Sequence, residues 1–155
     1  MFTLRDELLA VLPGPDSELV ASRAVLFEEF LAAESKAGRL DLELKPAAKP
    51  RALLHGHCHQ KAFGTFDATL ALLSSLPDVK VSAIESSCCG MAGSFGYELG
   101  HYEASMAMAE LALLPAVRSA PEALIVAAGT SCRNQIADGA RREAVHPLAA
   151  LALHL

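Results

Sequence analysis

At 155 residues, with 52% hydrophobic and 20% charged side chains and a formal net charge of −5, the chain has the size and apolar content of one folded domain. That composition excludes disorder, and a pI near 5.6 without any basic cluster argues against nucleic acid or an anionic membrane surface as partner. Trp is absent and aromatics make up only 5%, so a base-stacking platform is also excluded.

No stretch reaches the roughly 18 uninterrupted apolar residues of a membrane span; the 106–117 run is broken by Glu110 and Pro115. The opening residues Met1 to Asp6 have neither a basic nor an apolar signal region, so no secretory leader is expected. A cytoplasmic, reducing setting follows, peripheral to a membrane only through partners. There, four cysteines point to metal binding or thiol chemistry before disulfides.

In chain order, Thr3 with Asp6 reads as the cap of a first helix carrying Leu4, Leu8 and Val11 on one face, stopped by Pro13-Gly14-Pro15. Asp16 or Ser17 reads as the cap of a second, longer helix with Val20, Ala24, Phe27 and Leu31 as a core-facing stripe and Gly38 as its end signal. The Lys45–Pro50 segment reads as a linker. Residues 1–50 are thus a helical lead-in to an α/β core over 51–155, the whole forming one domain.

From Arg51 the rhythm changes. Ala52 to Leu54 reads as a first strand, 66–76 as a helix and Val79 to Ile84 as a second strand. A helix is expected over 101–114, carrying Tyr102, Met106, Ala109 and Leu113 as a packing stripe and ending or kinking at Pro115. Leu124 to Ala128 reads as a strand covered on both faces, followed by a short helix after Ser131, a small edge strand at Ala144-Val145-His146 and a terminal helix from Pro147. This alternation predicts a Rossmann-like, mainly parallel sheet of about four strands flanked by helices, behind two leading helices.

The topology then gathers the cysteines. Cys58 follows the first strand, Cys88 and Cys89 the second, and Cys132 the third. All four fall at the carboxyl ends of parallel strands, the edge where open α/β sheets bind ligands. Adjacent Cys88 and Cys89 are too close for an unstrained disulfide and diverge as ligands, which suits an iron–sulfur cluster better than one zinc ion. The following Gly90-Met91-Ala92-Gly93-Ser94-Phe95-Gly96 is no nucleotide fingerprint; its glycines let the backbone approach sulfur. Gly90, Gly93 and the 130–133 turn, with Ser131, are the expected cradle. In His55-Gly56-His57-Cys58-His59, His59 is a candidate hydrogen-bonding partner or substitute ligand. His55 reads as structural, His101 as a helix-start residue, and His146 as the end of the last strand. A Cys58–His59 nucleophile pair would need a substrate pocket.

The order Cys58-His59, Ser87-Cys88-Cys89-Gly90 and Ser131-Cys132 resembles the cysteine-rich "CCG" domain. That domain occurs in heterodisulfide reductase and in the iron–sulfur subunits of glycolate oxidase and anaerobic glycerol-3-phosphate dehydrogenase. The stretches 55–62, 85–97, 101–117 and 129–136 look most like the C-terminal module of FAD-linked D-2-hydroxyacid (D-lactate-type) dehydrogenases. The likeness covers Arg51 to His146 well and Met1 to Pro50 more loosely.

The resemblance implies electron transfer from a flavin, held elsewhere in a longer parent or on a partner, through this and further iron–sulfur modules to an acceptor such as a quinone. It also implies one half of a pair of modules, which would not turn over alone. The family pattern closes with C-x-x-C, whereas Gln135 stands at the last position here. Four thiolates suit a [4Fe–4S] or [2Fe–2S] cluster, and three with His57 or His59 suit zinc. The rival readings are a zinc-bearing or metal-free partner-binding module, in keeping with a mean hydropathy of +0.31, and a thiol enzyme using a low-pKa cysteine.

Overall fold

The computed structural model describes residues 1–46 and 48–155; Ala47 of the expected linker lies outside the described residues. The chain forms two compact units, Met1–Asp41 and Leu42–Leu155.

The first unit holds four short helices: α1 (Phe2–Arg5), α2 (Glu7–Val11), α3 (Pro15–Arg23) and α4 (Phe27–Lys36). Two expectations are corrected here. Thr3 caps nothing, because α1 starts at Phe2 without a side-chain cap and non-helical Asp6 (φ −124°, ψ −77°) separates α1 from α2. The 20/24/27/31 stripe is not one face. Ala24 turns extended and the Glu29 carboxylate accepts the Leu26 N–H at 2.7 Å, starting a new helix at Phe27. The phase is lost across that break, so Ala24 and Leu31 are buried while Val20 and Phe27 stay 44% and 51% exposed. Asp16 and Ser17 lie inside α3, whose N-cap is Gly14 with Pro15 in the first turn. Arg5 crosslinks the unit, donating to Ala24 O and pairing with Glu29 at 2.6 Å.

The second unit is α/β. Its strands β1 (Arg51–His55), β2 (Lys80–Ala83) and β3 (Leu124–Ala127) form a parallel sheet in the order β2-β1-β3. The expected fourth strand is reduced to one parallel bridge, Val126 to Val145. Pro147, lacking an N–H, opens a helix two residues later and ends the pairing.

Helices α5 (Cys58–Ala62), α6 (Phe66–Ser74), α7 (Tyr102–Glu110), α8 (Leu113–Arg118), α9 (Thr130–Ala140) and α10 (Pro147–Ala152) complete the unit. The single helix expected over 101–114 is divided, since a proline at 115 clashes with the carbonyl four residues back, at Leu111. The break comes at Leu111-Ala112, and Pro115 sits in the first turn of α8 where no N–H is needed. The helix after Ser131 is not short: α9 runs 11 residues because Cys132, Gln135 and Ile136 give it a buried face.

Strand alternation sorts the sheet's two sides. Leu53, Ile125 and Ala127 pack with Leu113, Val117 and Ile136 in a core that also contains Cys89 and Cys132. The thiol site is therefore built onto this apolar core. Each fully buried leucine or isoleucine there is worth about 1.5–3 kcal/mol.

Candidate metal centre

With β1 central, the chain leaves β1 and β3 from neighbouring carboxyl ends, the switch point at which α/β sheets open a crevice. Cys58 is the first residue of α5, Cys132 the third of α9, and Cys88 and Cys89 lie in the loop after β2. All four line one cleft of about 410 Å³, together with His57, His59, Ala92, Gly93 and Ser131. The four expected thiols, both outer histidines, Gly93 and Ser131 are thus brought together. None of the cysteines is in a disulfide.

Within the cleft the thiols differ. Cys58 and Cys88 are partly exposed, whereas Cys89 and Cys132 are buried at 3% and 1%. The Cys132 thiol donates to Cys89 and, with further help from the Met91 N–H, holds the Cys89 thiol down at about 4. Donating that hydrogen bond, together with burial, pushes Cys132 far up, so the pair shares one proton. Burial, then the neighbouring Cys88, pushes Cys58 up, against a smaller pull from Lys61. Burial likewise lowers His57, reinforced by His59, so its imidazole is held neutral.

The loop backbone is arranged around sulfur. Gly90 N–H donates to Cys88 Sγ at 3.2 Å, in a conformation (φ +90°) that favours glycine. Gly93 also has positive φ (+69°), but a Cβ there would meet no atom within 4 Å. At Gly129 a Cβ would sit 2.8 Å from Cys132 Sγ and 2.5 Å from His57 Cδ2, so the missing side chain makes room for both. Lys61 reaches from α5 to donate to Ser86 O, tying the segment before Cys88 to the segment carrying Cys58.

Three residues matter here that sequence reasoning placed elsewhere or passed over. His55 is completely buried, and one of its ring nitrogens lies within 4.8 Å of both Cys89 Sγ and Cys132 Sγ, which are within that distance of each other. Its place in β1 and in the His55-Gly56-His57-Cys58-His59 run suits a structural role equally well. Ser86 holds His55 Nδ1 at 2.9 Å, and Gly129 opens the crevice; a lone serine and a lone glycine carry no motif. Gln135 points away from the thiols: its Nε2 donates to Ser105 O and Oγ at 3.1 and 3.0 Å. His101 heads α7, as expected, and stacks on Phe95 at 4.2 Å between ring centroids. His146 caps α10 through the Leu148 N–H.

A metal group fits these residues. The set is thiol plus imidazole, hydrogen bonding holds the buried Cys89 thiol well below its ordinary value, and a buried imidazole nitrogen of His55, Nε2, lacks a hydrogen-bond partner.

The chain is 29% identical over 151 residues to one of the subunits of the anaerobic glycerol-3-phosphate dehydrogenase of Escherichia coli (strain K12), covering 97% of this chain and 37% of the relative. It is 32% identical over 97 residues to the D-2-hydroxyglutarate dehydrogenase of the same strain (62% of this chain, 10% of the relative), and 36% over 72 residues to that of Pantoea ananatis (46% and 7%). The chain therefore spans about a third or less of the curated relatives it matches. No protein-family model and no solved structure matches it. The relatives are dehydrogenases or parts of them, in keeping with a cysteine-rich redox module.

Proposed function

We propose that this chain is an electron-transfer module of a flavin-linked dehydrogenase acting on 2-hydroxyacids of the lactate or glycolate type, with Cys58, Cys88, Cys89 and Cys132 holding an iron–sulfur cluster, [4Fe–4S] by thiolate count. One observation carries the reading: three separate segments deliver all four cysteines to a single cleft at the sheet's carboxyl edge. Similarity to dehydrogenase subunits supports it.

Such a cluster, when bound, accepts and releases single electrons. The chain's own residues hold it and tune it. Gly90 N–H stabilises charge on the Cys88 sulfur, and Met91 N–H does the same at Cys89. Lys61 places a cation beside the Cys58–Ser87 side of the cleft. Ser131, Gly93 and His59 line the opening, where His59 would hydrogen-bond to a bound group or ligate it. In this reading residues 51–155 are the metal-bearing core and 1–50 its lead-in. The flavin and further iron–sulfur modules sit in the parent protein or on a partner, and the whole is cytoplasmic, reaching a membrane only through partners. Among the described residues no helix is long and apolar enough to cross a membrane.

The test is iron and acid-labile sulfide content, with a visible spectrum, on protein purified without oxygen. Matching iron and sulfide support the reading; zinc alone or no metal overturns it. A structural zinc ion is the second reading, favoured by the mixture of thiolates and imidazoles lining the same cleft.

A further inference from the structure

The His55 imidazole is the part of this site that four thiolates leave unused. Its Nδ1 is 2.9 Å from Ser86 Oγ, and the Ser86 hydroxyl donates in turn to Ile84 O at 3.5 Å. Ser86 therefore occupies Nδ1 and leaves Nε2, which is buried and without a hydrogen-bond partner. An unpartnered imidazole nitrogen buried beside two sulfurs is costly unless something binds it there.

The spacing says what that is. The ring nitrogen and the sulfurs of Cys89 and Cys132 all lie within 4.8 Å of one another. Donors at about 2.0–2.3 Å from one tetrahedral ion are roughly 3.5–3.8 Å apart, so about an ångström of closing brings all three onto one atom. The histidine anchored by its far nitrogen is also the ordinary arrangement of a metal-ligating imidazole. The two neighbouring histidines fit less well. His57 spends Nδ1 accepting the His59 N–H at 3.3 Å as the cap of α5, and His59 is exposed at the rim. Gln135, one turn after Cys132, is committed to Ser105 and supplies no further donor.

We propose that His55 Nε2, Cys89 Sγ and Cys132 Sγ bind one and the same metal ion. This deepens the metal-centre reading and rests on its mononuclear, zinc-type form, because an iron of a [4Fe–4S] cluster carries three sulfides and takes one protein donor, and an iron of a [2Fe–2S] cluster takes two. Binding displaces the proton shared by Cys89 and Cys132 to solvent and moves no electrons.

Cobalt(II) tests this on the reduced, metal-free full chain carrying ¹⁵N-labelled histidine. The expected result is one cobalt per chain with tetrahedral visible bands and sulfur-to-cobalt charge transfer. A ¹⁵N coupling in electron–nuclear double resonance should survive His57→Ala and His59→Ala and vanish in His55→Ala. Because removing a buried histidine can unfold the domain, Ser86→Ala supplies a second variant. It leaves Nε2 in place but unanchored, and should weaken cobalt binding roughly 10- to 100-fold with the fold intact by circular dichroism.

Absent nitrogen coupling, a coupling that follows His57 or His59, or unchanged cobalt affinity in Ser86→Ala each overturns the proposal. Iron and sulfide content, measured separately, decides the iron–sulfur reading. A cluster overturns the mononuclear reading on which this donor set rests, and zinc without the His55 coupling sinks the donor set alone.

Discussion

The α-carbon of Gly90 abuts the backbone carbonyl of Ser105, so closely that a β-carbon at 90 would fall on that oxygen. Ser105 is itself buried in α7 and held from behind by the Gln135 amide. The loop that carries Cys88 and Cys89 is thus seated on a helix through a glycine, with no side chain in between. The backbone placement of two of the four thiols depends on that contact.

Gly90→Ala should therefore harm the site twice. The residue has φ +90°, which costs an alanine of order 1–3 kcal/mol, and the overlap involves main chain on both sides, which cannot rotate away. A drop in the urea midpoint, with loss of metal retention in the fraction that still folds, is the expected result. Gly93→Ala is the control: it has strain but open space around it, so it should cost about 1 kcal/mol and leave metal content unchanged.

Cys88→Ser and Cys89→Ser should each lose the cluster, for different reasons. Cys88 sits in the partly exposed half with Cys58, and Cys89 in the buried half with Cys132. A serine hydroxyl is not ionised at neutral pH and is a poor soft-metal donor. Iron and sulfide analysis of protein purified without oxygen reads both; full metal content in either variant would remove that sulfur from the ligand set.

The same pair makes the metal-free protein pH-sensitive. Hydrogen bonding from Cys132 holds Cys89 at about 4, below the ordinary thiol value of 9.0, so its stabilising contribution is complete above that ordinary value and is lost as pH falls toward 4. Cys132 is shifted upward, so its contribution is complete below the ordinary thiol value and declines as pH rises past it. Metal-free stability should climb between pH 4 and about 8–9 and then turn over. Denaturant midpoints across that range in the parent chain and in Cys89→Ser are the measurement: the slope between pH 5 and 8 should flatten in the variant.

Much of the site could be read before the fold was in view, because strand ends are legible. An apolar run followed by cysteine at 58, 88–89 and 132 puts thiols on one edge whenever the sheet is parallel. What escaped depends on tertiary partners. His55 alternates correctly with Leu53 in β1, and nothing local distinguishes a core histidine from a metal donor. The 20/24/27/31 spacing is as good a helical stripe as any, and only the Glu29 carboxylate bonding back to Leu26 N–H reveals that a new helix starts there. Val145 forms real ladder bonds, with its N–H on Ile125 O and its carbonyl on Ala127 N–H at 2.9 Å each, yet Pro147 leaves no room for a strand.

Gln135→Cys puts a fifth cysteine one helical turn after Cys132, and it should not add a ligand. The native side chain lies 3% exposed under the Gly90 loop, donating twice to Ser105. Cysteine is shorter and lacks that amide, so the carbonyl of Ser105 loses a buried donor at a cost of about 1–3 kcal/mol. The seat of the Cys88–Cys89 loop loosens with it. The expected variant is less stable by that amount in urea, with no added sulfur-to-metal charge transfer per metal bound and a metal content at or below the parent's. Increased charge-transfer intensity with equal or higher stability would show instead that position 135 reaches the metal.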